Sequence, residues 1–254
     1  MGSNTARIIG IALLGIGLLV LAYCSVSSSS ASLRYRLIVE VETPQGPAVG
    51  SSVLEITGNR IPDWLPNGGG TRGTFRGEAV AIDLPNGQTL FALLRSESGF
   101  TEPDDYPGMA FQSRLERFYA KREAAGQETD FVDAINEMRS WTGARAPLPK
   151  TDRVLGNGGR DVPAWPLMVA FRDIADPTTV FEVTPGALPG GGRVTAVTVE
   201  ITDQTVTTGI EKPLAWLPNY YDQMLDGNSN QTIRATNKLA NSLTQGDFSK
   251  GVLP

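Results

Sequence analysis

The side chains with the clearest chemical potential here are four carboxylates and three tryptophans. Glu97, Glu102, Asp104 and Asp105 fall within one short stretch. Two carboxyl groups can divide acid and base work, as in glycoside hydrolysis, where they stand about 5 to 10 Å apart. The same oxygens suit a hard cation such as calcium. The order Glu102-Pro103-Asp104-Asp105 lacks the Asp-x-Asp-x-Asp-Gly spacing of a calcium loop, however. Acids also gather at helix N-termini, where exposed N–H groups favour negative charge. The stretch therefore reads first as a solvated loop leading into a helix near Ala110, and as an acidic site only in the alternative. No metal site and no cofactor are expected.

The tryptophans come with rigid neighbours. Trp-Leu-Pro-Asn occurs twice, beginning at Trp64 and at Trp216, and Trp165-Pro166 is a partial echo. An exposed indole can stack on a sugar ring or dock a peptide. A buried one beside a proline turn closes a core. Flanking residues do not repeat, Ile61-Pro62-Asp63 before one copy and Pro213-Leu214-Ala215 before the other, which favours core closure. Trp64, Trp165 and Trp216 remain the candidate binding residues.

Composition removes most other chemistry. The 254 residues include no histidine and a single cysteine, Cys24. Imidazole bases, histidine-bearing zinc sites and internal disulfides are excluded. No Gly-x-Ser-x-Gly elbow, Ser-x-x-Lys, phosphate loop or dinucleotide fingerprint occurs. The chain carries 22 Lys and Arg against 27 Asp and Glu, a formal charge of -5, and its arginines are scattered singly. Nucleic acid is not an expected partner.

Hydropathy supplies the elements that must position these groups. Tyr35, Leu37, Val39 and Val41 alternate with Arg36, Glu40 and Glu42, a strand with one buried face. Pro44-Gln45-Gly46-Pro47 predicts a turn, and Ser51 to Thr57 a weaker strand. Glu78 to Leu84, Pro85-Asn86-Gly87 and Gln88 to Leu94 predict a hairpin. Its second strand is apolar on both faces, so it is expected to be central. Asn59 to Gly77 reads as one long connection. Phe111, Leu115, Phe118 and Tyr119 then follow helical spacing. A second helix is expected from a Thr129 cap, with Phe131, Ile135, Met138 and Trp141 on one side. Leu167 to Phe171, Thr179 to Val183 and Arg193 to Thr202 predict further strands. The stretch from Gly227 onward is rich in Asn, Ser, Thr, Gln and Gly, and reads as a flexible tail.

Ile8 to Val26 is uncharged and free of proline. A bilayer needs about 20 apolar residues, with about 17 as the lower end. An uncleaved signal anchor fits this length and polarity. A cleaved secretory signal ending near Ser29-Ser30-Ala31, or a lipoprotein signal ending at Cys24, are the alternatives. Bulky Tyr23 directly before the cysteine counts against the last. Arg7 on one side nearly balances Arg34 and Arg36 on the other, and the very short preceding tail favours the amino end inside.

Arg34-Tyr35-Arg36-Leu37, Gly50 to Glu55 and Arg76-Gly77-Glu78-Ala79-Val80 together resemble an uncharacterised family of single-pass bacterial membrane proteins. The resemblance spans about residues 8–100. It implies inner-membrane anchoring and transfers no site residue.

The expected fold class is α+β: an N-terminal transmembrane helix, then a mainly antiparallel, sandwich-like β domain with a two-helix insertion. Residues 1–31 form the anchor and a Ser-rich linker, 32–226 the soluble body with helices over about 110–142, and 227–254 the polar tail. The expected role is a non-enzymatic binding or scaffolding domain of the bacterial envelope. Its partners are the lipid bilayer, through Ile8 to Val26, and an envelope protein. The soluble part is placed in the periplasm, with a secreted protein or a lipoprotein as alternative addresses. The alternative function is an envelope hydrolase using Glu97, Glu102, Asp104 or Asp105.

Overall fold

A computed structural model describes residues 30–64, 68–154 and 159–252. The apolar run Ile8–Val26 lies outside the described residues. Among the described residues no helix is long and apolar enough to cross a membrane. The fold is mostly antiparallel β with few helices, an α+β arrangement rich in strands.

The chain begins with a long hairpin of β1 (Ser30–Thr43) and β2 (Gly46–Arg60), paired from Ser30↔Asn59 to Thr43↔Gly46. Ser30 and Ala31, expected in the linker, are already strand. The alternation in β1 does what a period of two dictates: Leu33, Tyr35, Leu37, Val39 and Val41 are all buried. Thr43 Oγ1 donates to the Gly46 carbonyl at 2.7 Å and accepts from the Gln45 amide, closing the turn.

β3 (Thr71–Glu78) pairs with β2, so the long connection expected over 59–77 shrinks to a loop at 61–70. Thr71-Arg72-Gly73-Thr74-Phe75-Arg76 has no apolar alternation. Backbone pairing with β2, rather than burial, makes it a strand. β4 (Val80–Asp83) and β5 (Thr89–Ser96) form the expected hairpin, with Gly87 at φ 84 in its turn.

The expected two-helix insertion appears as a short α1 (Tyr106–Ala110), α2 (Gln112–Ala124) and α3 (Phe131–Arg139). The cap of α3 is Asp130 rather than Thr129. Its carboxylate accepts from the Asp133 amide at 3.0 Å, while Asp133 accepts from the Asp130 amide. Thr129 instead accepts from Arg122 Nε at 2.9 Å.

Seven strands follow: β6 (Arg145–Pro147), β7 (Thr151–Val154), β8 (Arg160–Pro163), β9 (Pro166–Phe171), β10 (Val180–Glu182), β11 (Arg193–Ile201) and, near the end of the chain, β12 (Ser249–Lys250). A short helix α4 (Gln245–Phe248) precedes β12. The large sheet has the order β12-β3-β2-β1-β11-β6, the second β10-β9-β5-β4, and β7-β8 stand apart.

One core joins the inner face of the large sheet to Val80, Ile82, Leu90, Ala92, Met168 and Ala170 of the second sheet, and to Val132, Ile135 and Met138 of α3. Two glycines set how close the layers come. A Cβ on Gly50 would meet the Ala81 carbonyl oxygen at 2.6 Å, so β4 lies directly on β2 there. A Cβ on Gly58 would sit 2.9 Å from Ile135 Cδ1, which lets α3 rest on the hairpin beside Ala31. The outer face of the large sheet carries rows of charge. Glu55 accepts from Arg34 Nε at 2.6 Å and from Arg76 Nε at 2.8 Å, across β1, β2 and β3. Partial burial pushes the Glu55 carboxyl up, and these two guanidiniums outweigh it, leaving it below its ordinary value.

Residues 227–252 correct the expectation of a flexible tail. Phe91, Leu93, Leu167, Val169 and Phe171 form the second face of the second sheet. They are covered by Ile210, Leu214, Leu217, Leu225, Ala240, Leu243 and Phe248. Phe248 meets Phe91 edge-on at 6.1 Å between centroids, and the Ala79 amide donates to its carbonyl at 2.8 Å. Polar side chains replace regular structure as the fastening. Asn237 Nδ2 donates to the Thr178 and Val180 carbonyls at 2.8 and 2.7 Å. Buried Glu78 accepts from the Gly209 and Ile210 amides at 3.1 and 3.0 Å.

Phe248→Ala should lower the unfolding free energy by about 3 to 5 kcal/mol, the usual cost of emptying a buried aromatic site. Chemical denaturation measures this directly. A change near zero would restore the flexible-tail reading.

Candidate functional site

A concave surface with a volume of about 670 Å³ lies between α2 and the end of α3. Arg114, Arg117, Lys121 and Arg122 line it, with Phe118 and Trp141 as apolar wall and Glu137 as its one acid. Helical spacing creates the charge row: positions 114, 117 and 121 stand at i, i+3 and i+7, on one side of α2. Leu115, on another side, is buried in the core.

The cations differ in their engagement. Arg122 is held in place. It donates to Thr129 Oγ1 and to the Glu128 carbonyl, both at 2.9 Å, and stands 3.6 Å from Asp133. Arg114 stacks over Trp141 and Phe111, at 5.5 and 5.8 Å to the ring centroids. Arg117 and Lys121 are exposed and form no ion pair among the described residues. On a chain of net charge -5, this is a local concentration of the minority sign in a concave place.

A brace ties the groove to the hairpin. Arg60 at the end of β2 reaches Asp130 at 2.5 Å and Asp133 at 2.7 Å, and Asp133 in turn faces Arg122. Arg60 holds the Asp130 carboxyl below its ordinary value, against a smaller upward push from burial.

The acidic residues divide. Glu102 and Asp104 line a cleft of about 440 Å³ together with Arg95, Asp247 and Lys250. Asp105 is exposed and accepts from the Glu102 amide at 3.2 Å, fixing the 3-10 turn Pro103–Asp105. Glu97 is exposed and does not line the cleft. Burial raises the Glu102 and Asp247 carboxyls above their ordinary values. Lys250 opposes this at Glu102. At Asp247 the Thr244 amide, donating at 2.7 Å, and Arg95, at 3.7 Å, oppose it. Among the described residues no group of three or more acids or cysteines is placed to hold a metal ion.

The tryptophans take three environments. Trp165 is buried and donates from Nε1 to the Leu148 carbonyl at 3.0 Å, with Lys150 Nζ above its ring at 5.0 Å. Trp216 is half-buried, donates to the Ile174 carbonyl at 2.8 Å and meets Phe171 and Tyr220 edge-on. Trp64, 68% exposed, sits on the loop between β2 and β3. Composition does not single out the groove residues, since arginines are scattered along the whole chain. The i, i+3, i+7 spacing beside an apolar helical stripe was the available signal.

The Arg60–Asp130 pair makes a pH prediction. A carboxyl lowered in the folded state adds stability above its unfolded pKa, which is lost as pH falls through the folded value. Asn keeps an N-cap oxygen. The stability gap between wild type and Asp130→Asn should therefore be open at neutral pH and close below the ordinary aspartate range. Denaturation across pH 7 to 2 checks it, and a gap independent of pH would remove the charge term.

Comparison with known proteins finds no family model that matches the chain, and no similar curated protein or solved structure, so the family resemblance read over residues 8–100 gains no support from it.

Proposed function

We propose that this chain is a membrane-tethered, non-enzymatic binding domain of the bacterial envelope, held by Ile8–Val26, with its β-rich body outside the cytoplasm. The groove of α2 and α3 is its binding surface, and an anionic group is its ligand. One observation carries this reading: Arg117 and Lys121, with no ion pair among the described residues, stand beside the Arg114–Trp141 stack in a single concavity. Unpaired surface cations cost little alone, but a concave group of them raises the local concentration of anions. A planar guanidinium stacked on an indole is pre-oriented to donate to phosphate or carboxylate. The apolar run of the sequence supports the tether.

Crosslinking of the full-length chain in its native membrane tests this. Attached molecules should carry accessible phosphate or carboxylate groups. Arg117→Glu with Lys121→Glu should reduce their yield at least tenfold while leaving the circular dichroism unchanged. An unchanged yield would remove the groove from the reading. Washing the membranes at alkaline pH tests the tether separately, since release of the intact chain would contradict it.

A second reading, a carboxylate hydrolase, draws on the cleft that brings Glu102, Asp104 and Asp247 together. Raised carboxyls are suited to act as general acids. Hydrolysis of an envelope glycan by the full-length protein, lost at least a hundredfold in Glu102→Gln, is the expected result. Equal turnover by that variant would discard it.

A further inference from the structure

We propose that the basic groove and Trp64 form one membrane-facing edge that docks on the anionic phospholipid headgroups of the bilayer that holds the chain; this rests on the tether proposed above. Ser30 opens β1 and pairs with Asn59, next to Arg60 at the end of β2. The loop that follows, its ends joined by the Ile61 amide donating to the Gly70 carbonyl at 3.0 Å, carries the exposed Trp64. Arg60 reaches Asp130 and Asp133 at the start of α3, and Asp133 faces Arg122 of the groove. Arg139, at the other end of α3, lines a shared cavity with Ser30, Ala31, Ser32 and Arg34. Arg60 and Asp133 thus join the end of β2, from which the Trp64 loop leaves, to Arg122 of the groove, and Arg139 joins the other end of α3 to the start of β1.

Covalent reach then brings the start of β1 to the membrane. Four residue steps separate Val26 from Ser30, and an extended chain covers about 3.3 to 3.6 Å per residue, so at most about 14 Å lies between them. The polar headgroup layer is itself about 5 to 8 Å deep on each side of the hydrocarbon. An end tied this closely stays within about 14 Å of the hydrocarbon edge, within reach of the headgroups. What it presents there suits them: three exposed cations on α2, and an exposed indole of the kind that settles at membrane–water interfaces. Of the acids nearby, Asp130 and Asp133 are paired to Arg60, while Glu137 lines the groove and Asp63 is exposed beside Trp64, so the three cations of α2 outnumber the one acid of the groove. The outward acidic rows of the large sheet are likewise matched by Arg34, Arg76 and Arg145.

The test uses the full chain reconstituted into vesicles of phosphatidylcholine alone or with 30% phosphatidylglycerol, each containing lipid brominated along its tails. Tryptophan quenching by bromine reads the depth of Trp64, and Trp64→Phe identifies its share of the signal. Quenching is expected in the anionic vesicles. It should fall at least tenfold in neutral vesicles, at 1 M salt, and in Arg114→Glu with Arg117→Glu and Lys121→Glu. Each cation near an anionic surface is worth about a fivefold factor. Quenching that is equal in both vesicles, or absent from both, overturns the docking. So does release of the quenching by millimolar inorganic phosphate, or specific binding of polyglutamate to the chain in detergent, which would assign the groove to a soluble anion or an acidic protein. Flotation of each sample after alkaline washing separates the two claims. A chain that floats with the vesicles but shows no anion-dependent quenching keeps its tether and loses the docking.

Discussion

The central strands of the second sheet, β5 and β9, are apolar on both faces, and the rest of the fold answers that constraint. Leu90, Ala92 and Met168 turn one way, while Phe91, Leu93, Val169 and Phe171 turn the other. Neither face can meet water without exposing a large apolar area, at about 25 cal/mol per Å². The large sheet and α3 cover the first. The chain after β11 covers the second, by running back over β5 and β9 and ending as an edge strand beside β3. The fold is thus layered around a buried sheet, and its surface is left for charge. Glu78 links the two tasks, since its buried carboxylate holds the returning chain at Gly209 and Ile210.

Most of the β framework was legible because period and burial agree there. β1 alternates and buries its alternate residues. Pro85-Asn86-Gly87 forms the turn that its composition demands. The two helices follow their apolar stripes. What the sequence hid has physical causes. β3 has no alternation, because its place is set by hydrogen bonds to β2 and most of its side chains face outward. The C-terminal cover has few apolar residues and no period. Its Asn and Thr side chains bond to the backbone of other segments, a role that composition alone cannot separate from solvation. A clue was nonetheless present, since a strand apolar on both faces, as Thr89–Ser96 is, requires two covers.

The candidate site was less legible than the fold. Tryptophan spacing drew attention to Trp64, Trp165 and Trp216, yet two of these indoles are tied to backbone carbonyls and one faces solvent. The acidic stretch splits into two residues that line a cleft, one that fixes a turn and one that is exposed elsewhere. The groove emerges only in three dimensions, where Trp141 from beyond α3 comes under Arg114 of α2. Helical spacing then puts Arg114, Arg117 and Lys121 on one side of α2.

Hydrogen–deuterium exchange of the full chain, resolved by residue, tests the doubly covered sheet most directly. The amide of Ala79, which donates to Phe248, and that of Leu225, which donates to Leu243, should exchange as slowly as those of β5. Exchange of residues 225–248 and Ala79 within seconds, while β5 stays protected, would contradict it and detach the C-terminal cover from the fold.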